Sequence, residues 1–169
     1  MQIRKTTVED ITKVMQIYAE GREIMCESGN HEQWQCHYPP QAMIEEDIKK
    51  GLSYVCECGN TGVLLAVFFF STEPDPTYTK INGAWLNNEK YGVIHRIARK
   101  KNAKGMGAFC LKWCFGQIQN IRIDTHEANI PMRKLLKNLG FSHCGTIWLE
   151  NGDERMAFHR VEDVHTQLV

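Results

Sequence analysis

Apolar positions along the chain divide it into alternating strand-like and helix-like stretches. Gln2 to Lys5 is a short extended start. Thr7, with Asp10 three residues later, resembles a capping box ahead of Ile11, Val14, Met15, Ile17 and Tyr18, which recur at helical spacing. Gly21 to His37 is polar and irregular and reads as loop. Pro39 and Pro40 open a second helix carrying Met43, Ile44 and Ile48, which Gly51 stops. Tyr54 to Cys58, the turn Gly59-Asn60-Thr61-Gly62 and the apolar run after it predict a hairpin. Residues 71–90 predict a long loop with a helical turn, and Tyr91 to Ala98 a buried strand. Gly105 to Gln119 is a helix apolar nearly all round, with Lys112, Gly116 and Gln119 as its narrow polar stripe, so other elements must cover it on most sides. A strand over Ile121 to Asp124 precedes a helix over Asn129 to Leu139. That helix has Pro131 in its first turn, an inward stripe of Met132, Leu135, Leu136 and Leu139, and Gly140 as its stop. Phe141 to Leu149 and Arg155 to Val161 close the chain as a hairpin about Glu150-Asn151-Gly152-Asp153. Strands interleaved with helices predict an α/β (α+β) class with a central mixed sheet, in one domain over residues 1–169.

Composition narrows the function classes. With 43% hydrophobic and 24% charged residues the chain has the means to bury a core, which argues against disorder. Twenty Lys and Arg against twenty Asp and Glu leave no net charge, which argues against nucleic-acid binding through bulk positive charge. The longest apolar run, Val63 to Phe70, falls far below the roughly 18–20 residues of a membrane span. Met1 to Lys5 leads into polar residues rather than a leader-like apolar stretch. The expectation is a soluble, cytoplasmic protein with no membrane partner. Seven cysteines are an odd number. Cys56 and Cys58 share a strand face and Cys110 and Cys114 a helix face, so they read as small apolar thiols rather than disulfides. A metal site would have to recruit Cys36, His37 and His31, but no Cys-x2-Cys spacing occurs and no metal is expected.

Chemistry concentrates in Val93 to Gly107, where a buried strand runs through a basic loop into a glycine-containing helix start. The first amides of a helix have no internal acceptor and the helix dipole favours negative charge there, so the segment reads as an anion site, with glycines that let a helix pack tightly on the sheet as the alternative. Gly105 and Gly107 leave the backbone open to close approach, and Lys100, Lys101 and Lys104 add positive charge. Gly105-Met106 does not supply the Gly-Lys-Ser/Thr of a P-loop. A dinucleotide fingerprint needs a third glycine where Cys110 stands.

Asn102-Ala103-Lys104-Gly105-Met106-Gly107 resembles the pyrophosphate loop Gln/Arg-x-x-Gly-x-Gly/Ala of the GCN5-related N-acetyltransferase (GNAT) family, with Asn102 departing at the first position. Ile94 to Ala98 is similar to that family's fourth strand. Asn129 to Phe141 is similar to its Asn-x-x-Ala-x-x-Leu-Tyr-x-x-x-Gly-Phe element, with Leu136 where the tyrosine stands. The resemblance covers essentially the whole chain. It implies a mostly antiparallel, twisted sheet flanked by helices and splayed between its fourth and fifth strands, a homodimer through late strands, and acetyl transfer from acetyl-CoA as co-substrate to a small-molecule or peptide amine. It places the coenzyme on Ile97, Ala98, Arg99, Asn102, Ala103, Lys104, Gly105, Met106, Gly107, Asn129 and Met132. Asn129 reads equally as a helix cap, and Met132 equally as core. An amine must lose a proton before attack, and an imidazole titrates near neutrality, so His95 is the leading base and His126 the second. Against this, His95 also reads as a packed or solvent-facing histidine and His126 as part of the cap of the helix that follows. Trp34 and Tyr38 offer a π-rich acceptor wall, with Trp85 closing the cleft opposite. Glu45, Glu46 and Asp47 read chiefly as a solvated face. Because Leu136 replaces the tyrosine acid, a silent acyl-CoA-binding module is the alternative. The cations Arg96, Arg99, Lys100, Lys101 and Lys104 raise nucleic-acid binding as a third reading, against which no aromatic RNA-binding motif and no net charge speak.

Overall fold

A computed structural model describes residues 1–35 and 37–162, so Cys36 lies outside it. The strands β1 (Gln2–Lys5), β2 (Ser53–Glu57), β3 (Leu64–Ser71), β4 (Asn82–Gly83), β5 (Gly92–Arg99), β6 (Asn120–Thr125), β7 (Ser142–Trp148) and β8 (Glu154–Val161) join in one sheet of order β1-β2-β3-β5-β6-β8-β7-β4. Every pairing is antiparallel except β5 with β6. The helices are α1 (Ile11–Glu27), α2 (Gln41–Lys49), α3 (Met106–Gln117) and α4 (Ile130–Asn138). Among the described residues no helix is long and apolar enough to cross a membrane.

Two apolar layers hold the helices to opposite faces. Val14, Ile17 and Tyr18 of α1 and Ile44 of α2 pack on Val55, Val67 and Ala98. On the other face Met106, Cys110, Leu111, Cys114 and Phe115 of α3 and Leu136 of α4 pack on Ala66, Phe68, Phe70, Ile94, Ile121 and Ile123. Cys56, Cys110 and Cys114 are buried free thiols, the small apolar role their spacing predicts.

The sheet is open where its one parallel pair sits. β5 and β6 share a ladder only at Gly92–Ile121 and Val93–Arg122, after which β6 stays with β8 and β5 continues alone on that side. This is the predicted splay, one strand later in the count because the two-residue β4 precedes it. Beyond it β5 is bulged. Ala98 faces Val67 and His95 faces Phe69, so Arg96 and Ile97 together stand opposite Phe68. Arg96 takes the left-handed φ of +50°. A regular strand would put Ile94 and Ala98 on one face. With the extra residue, Ile94 faces α3 and Ala98 faces α1.

One expected loop is helix. α1 runs on through Gly21 to Glu27. A Cβ at Gly21 would stand 3.1 Å from the Ala98 Cβ and 3.2 Å from the Trp34 ring, so this glycine marks the close packing of α1 on β5 rather than a break. The stretch expected as a long loop also holds a strand, since Asn82–Gly83 pairs with β7 as the edge strand β4, and the other elements fall close to where periodicity puts them. Pro40 caps α2 and Asn129 caps α4, the latter accepting from the Met132 N–H at 3.2 Å.

Candidate active site

The splay opens two connected cavities. The smaller, about 240 Å³, is a groove between the end of α1, the free edge of β5, the start of α3 and α4. Ile97, Ala98, Arg99, Gly105, Gly107, Asn129 and Met132, all expected at the coenzyme, line it together with Ile24, Met25, Trp34, Ala108 and Leu135. Gly105 caps α3 with a φ of +83°, and a Cβ placed there would meet nothing within 4 Å. Space is thus open beside Gly105, whereas a Cβ at Gly107 would stand 3.1 Å from Leu135, and the first-turn amides of α3 have no intrahelical acceptor, which is the electrostatics an anion requires.

Other loop residues take different roles from those expected. Met106 and Ala103 are buried in the core and are not among the residues that line the groove. Asn102 and Lys104 are exposed. Lys101 does not offer its charge to a ligand: Nζ sits 2.8 Å from Glu23 and 2.7 Å from Glu27, and its N–H donates to Glu20. This ties the loop to α1. Arg99 donates to the Lys100 and Lys101 carbonyls, and Arg96 pairs with the buried Asp47 at 2.7 Å. Three of the five clustered cations are thus engaged within the chain. Asp47 is a buried partner rather than part of a solvated face, and burial pushes its carboxyl up while Arg96 opposes the shift.

The larger cavity, about 910 Å³, shares Met25, Trp34, Ile97, Asn129 and Met132 with the groove and continues on the α1–α2 face. Tyr38 and His95 line it as expected. Trp34 rests against Tyr18 and Tyr38 at ring separations of 5.8 and 6.0 Å. Asn129, buried and already capping α4, also donates to Gln33 at 2.9 Å, so its side chain braces the loop that carries Trp34. Trp85 does not reach this cleft. Its indole N–H donates to the Tyr78 carbonyl at 3.0 Å and its ring carries the Arg122 guanidinium at 4.5 Å, which hold it in a separate aromatic cluster. His126 is also outside: its Nδ1 accepts from the Ala128 N–H at 3.1 Å at the start of α4, and it borders a neighbouring depression. Among the described residues no three His, Cys, Asp or Glu side chains are grouped to hold a metal, and His31 and His37 are exposed.

His95 stands between two carboxylates that the sequence did not single out. Its Nε2 lies 2.6 Å from Asp75 Oδ2, and its Nδ1 lies 3.6 Å from Asp124 Oδ1. Asp75 Oδ1 accepts from the Thr77 N–H at 2.8 Å and the Thr77 hydroxyl at 2.6 Å. Burial raises the Asp75 pKa, but the hydrogen bonds from His95 and Thr77 outweigh it and hold the carboxyl at about 2. Tyr78, fully buried and held protonated by burial and the Asp124 carboxylate, donates to Asp124 at 2.7 Å. Leu136, at the position of the family's tyrosine, is fully buried in the α3–α4 core.

No protein-family model matches the chain, and no curated protein is similar to it by sequence. Solved structures do match. A GNAT-family acetyltransferase from Streptococcus agalactiae is 29% identical with a TM-score of 0.84, over 96% of this chain and 95% of that one. A GNAT-family acetyltransferase from Listeria monocytogenes is 20% identical with a TM-score of 0.67, over 94% and 93%. A GNAT-superfamily phosphinothricin acetyltransferase from Sinorhizobium meliloti, solved in complex with AcCoA, is 16% identical with a TM-score of 0.62, over 94% and 86%. The fold of this chain is the GNAT acetyltransferase fold.

Proposed function

We propose that the chain is an N-acetyltransferase that moves the acetyl group of acetyl-CoA directly to an amine of a small molecule or peptide, with His95 as the base. The observation that carries this reading is continuity: the open amides at the start of α3 lead along the free edge of β5 into a cleft that holds His95 between carboxylates. The groove suits the diphosphate and the extended arm of the coenzyme. The α3 amides at Gly105, Met106 and Gly107 suit a diphosphate. The backbone of Ile97 to Arg99 lacks a strand partner on that side and suits the amides of an extended arm, against the apolar Ile24, Met25, Met132 and Leu135. Acetyl-CoA supplies an acetyl group activated as a thioester.

The chain's residues supply the rest. An acceptor entering as an ammonium meets His95 Nδ1 and Asp124 in the cavity that Trp34 and Tyr38 also line, where aromatic faces favour a cation. His95 takes the first proton, freeing the nitrogen lone pair. As the N–C bond forms and the C–S bond breaks, the sulfur leaves with the electron pair. The nitrogen then loses a second proton. The sulfur regains one proton, so each turnover of an ammonium acceptor releases one proton to solvent. Leu136 offers no acid, so water in the open cleft protonates the sulfur.

A silent acyl-CoA-binding module is the second reading, favoured by the burial of Leu136 in the core. Free-thiol release from acetyl-CoA separates the two. With a panel of primary amines (ethylenediamine, spermidine, L-lysine and a short peptide), the enzyme reading predicts release above the amine-free background. Background rates throughout, with coenzyme A still bound, support the silent module.

A further inference from the structure

We propose that Asp75 is a positioning residue that fixes the neutral ring of His95 as its Nε2–H tautomer, so that Nδ1 presents the lone pair that takes the acceptor's proton. The inference rests on the reading of His95 as the base. An ionised carboxylate only accepts, so at 2.6 Å the proton between Asp75 Oδ2 and His95 belongs to Nε2. Nδ1 is then the unprotonated nitrogen. It faces Asp124 Oδ1 at 3.6 Å, too far for a direct hydrogen bond and wide enough for a nitrogen to sit beside both.

The surroundings define that orientation. Asp75 is anchored by both Thr77 donors and sits in the loop after β3, 20 residues from His95 in sequence. The Phe69 and Tyr78 rings flank the imidazole at 5.6 and 5.9 Å. The charged and titratable groups facing it are Asp75 and Tyr78 from that loop, Asp124 from β6, and the Arg96–Asp47 pair joining β5 to α2. The pair largely cancels its own charge, which leaves the two carboxylates to stabilise the imidazolium that forms when Nδ1 takes a proton.

Asp75→Asn tests this with little change of shape. Both Thr77 donors hold the Oδ1 end, so the new amide turns its NH2 toward Nε2 and donates to it, forcing the Nδ1–H tautomer. Two-bond 15N–1H correlation spectra of the full chain, followed to the alkaline pH at which the ring signals stop changing, read the tautomer of the neutral ring, with His95→Ala assigning the signal. The expected result is Nε2–H in the wild type and Nδ1–H in Asp75→Asn. Thiol release should fall by up to about 10⁴-fold, the loss seen when the orienting carboxylate of a Ser-His-Asp triad is made an amide. In the His95→Ala background Asp75→Asn should cost nothing further. A wild-type ring protonated on Nδ1 overturns the proposal, and that measurement needs no variant to fold. An unchanged tautomer in a folded Asp75→Asn overturns it as well. Full turnover in His95→Ala instead overturns the base reading, while the spectra still decide the role of Asp75.

Discussion

Gly105→Glu is expected to lower affinity for coenzyme A at least about a hundredfold. Two charge-assisted hydrogen bonds from the α3 amides to a diphosphate are worth about 1.5–3 kcal/mol each, and their loss alone reaches that factor. The glutamate adds like-charge repulsion at the same point, in space that is open when residue 105 has no side chain. Gly105→Ala separates charge from backbone strain. The φ of +83° costs an alanine roughly 1–2 kcal/mol, so it should lower stability while weakening binding far less. Calorimetric titration with coenzyme A checks both variants. Unchanged affinity in Gly105→Glu would place the diphosphate elsewhere.

The second large effect falls on turnover. His95→Ala should reduce thiol release in the presence of a productive amine by about 10²- to 10⁴-fold, the usual contribution of a positioned base. It should leave coenzyme A affinity close to wild type, because His95 lines the acceptor cleft and not the coenzyme groove. Loss of binding in parallel with turnover would show that the ring supports the fold of the splay rather than the proton transfer. Equal turnover in wild type and variant would remove His95 from the mechanism.

The framework was legible because its signals are local. Glycine turns set the β2–β3 and β7–β8 hairpins, Pro40 and Asn129 mark helix starts, and the alternation of apolar runs orders the strands. Gly105 was legible for the same reason, since a glycine opening a helix after a basic loop has few structural uses. The second half of α1 was not, because a packing glycine and a polar outer face look like a loop until β5 is known to lie against Gly21. Trp85 was misplaced because its partners, Arg122, Tyr78 and His159, come together only through the β6–β8 pairing. Asp75 gave no signal, and Asp124 offered itself only as a helix cap or as the acid of a dinucleotide fingerprint. They sit in a proline-flanked loop and near the end of a strand, and only the sheet brings them to the two nitrogens of one ring. A buried tyrosine, a threonine two residues after an aspartate and a histidine within a strand are ordinary one by one.

The proposed function requires the coenzyme to run from the α3 amides to the place where the groove and the His95 cleft share residues. Its most direct test is a crystal structure of the full chain soaked with coenzyme A. The diphosphate is expected against the amides of Gly105 to Gly107 and the sulfur where the two cavities share Met25, Trp34, Ile97, Asn129 and Met132, on the side facing His95. A coenzyme seated with its sulfur pointing away from those shared residues, or with its phosphates off the α3 terminus, would contradict this path.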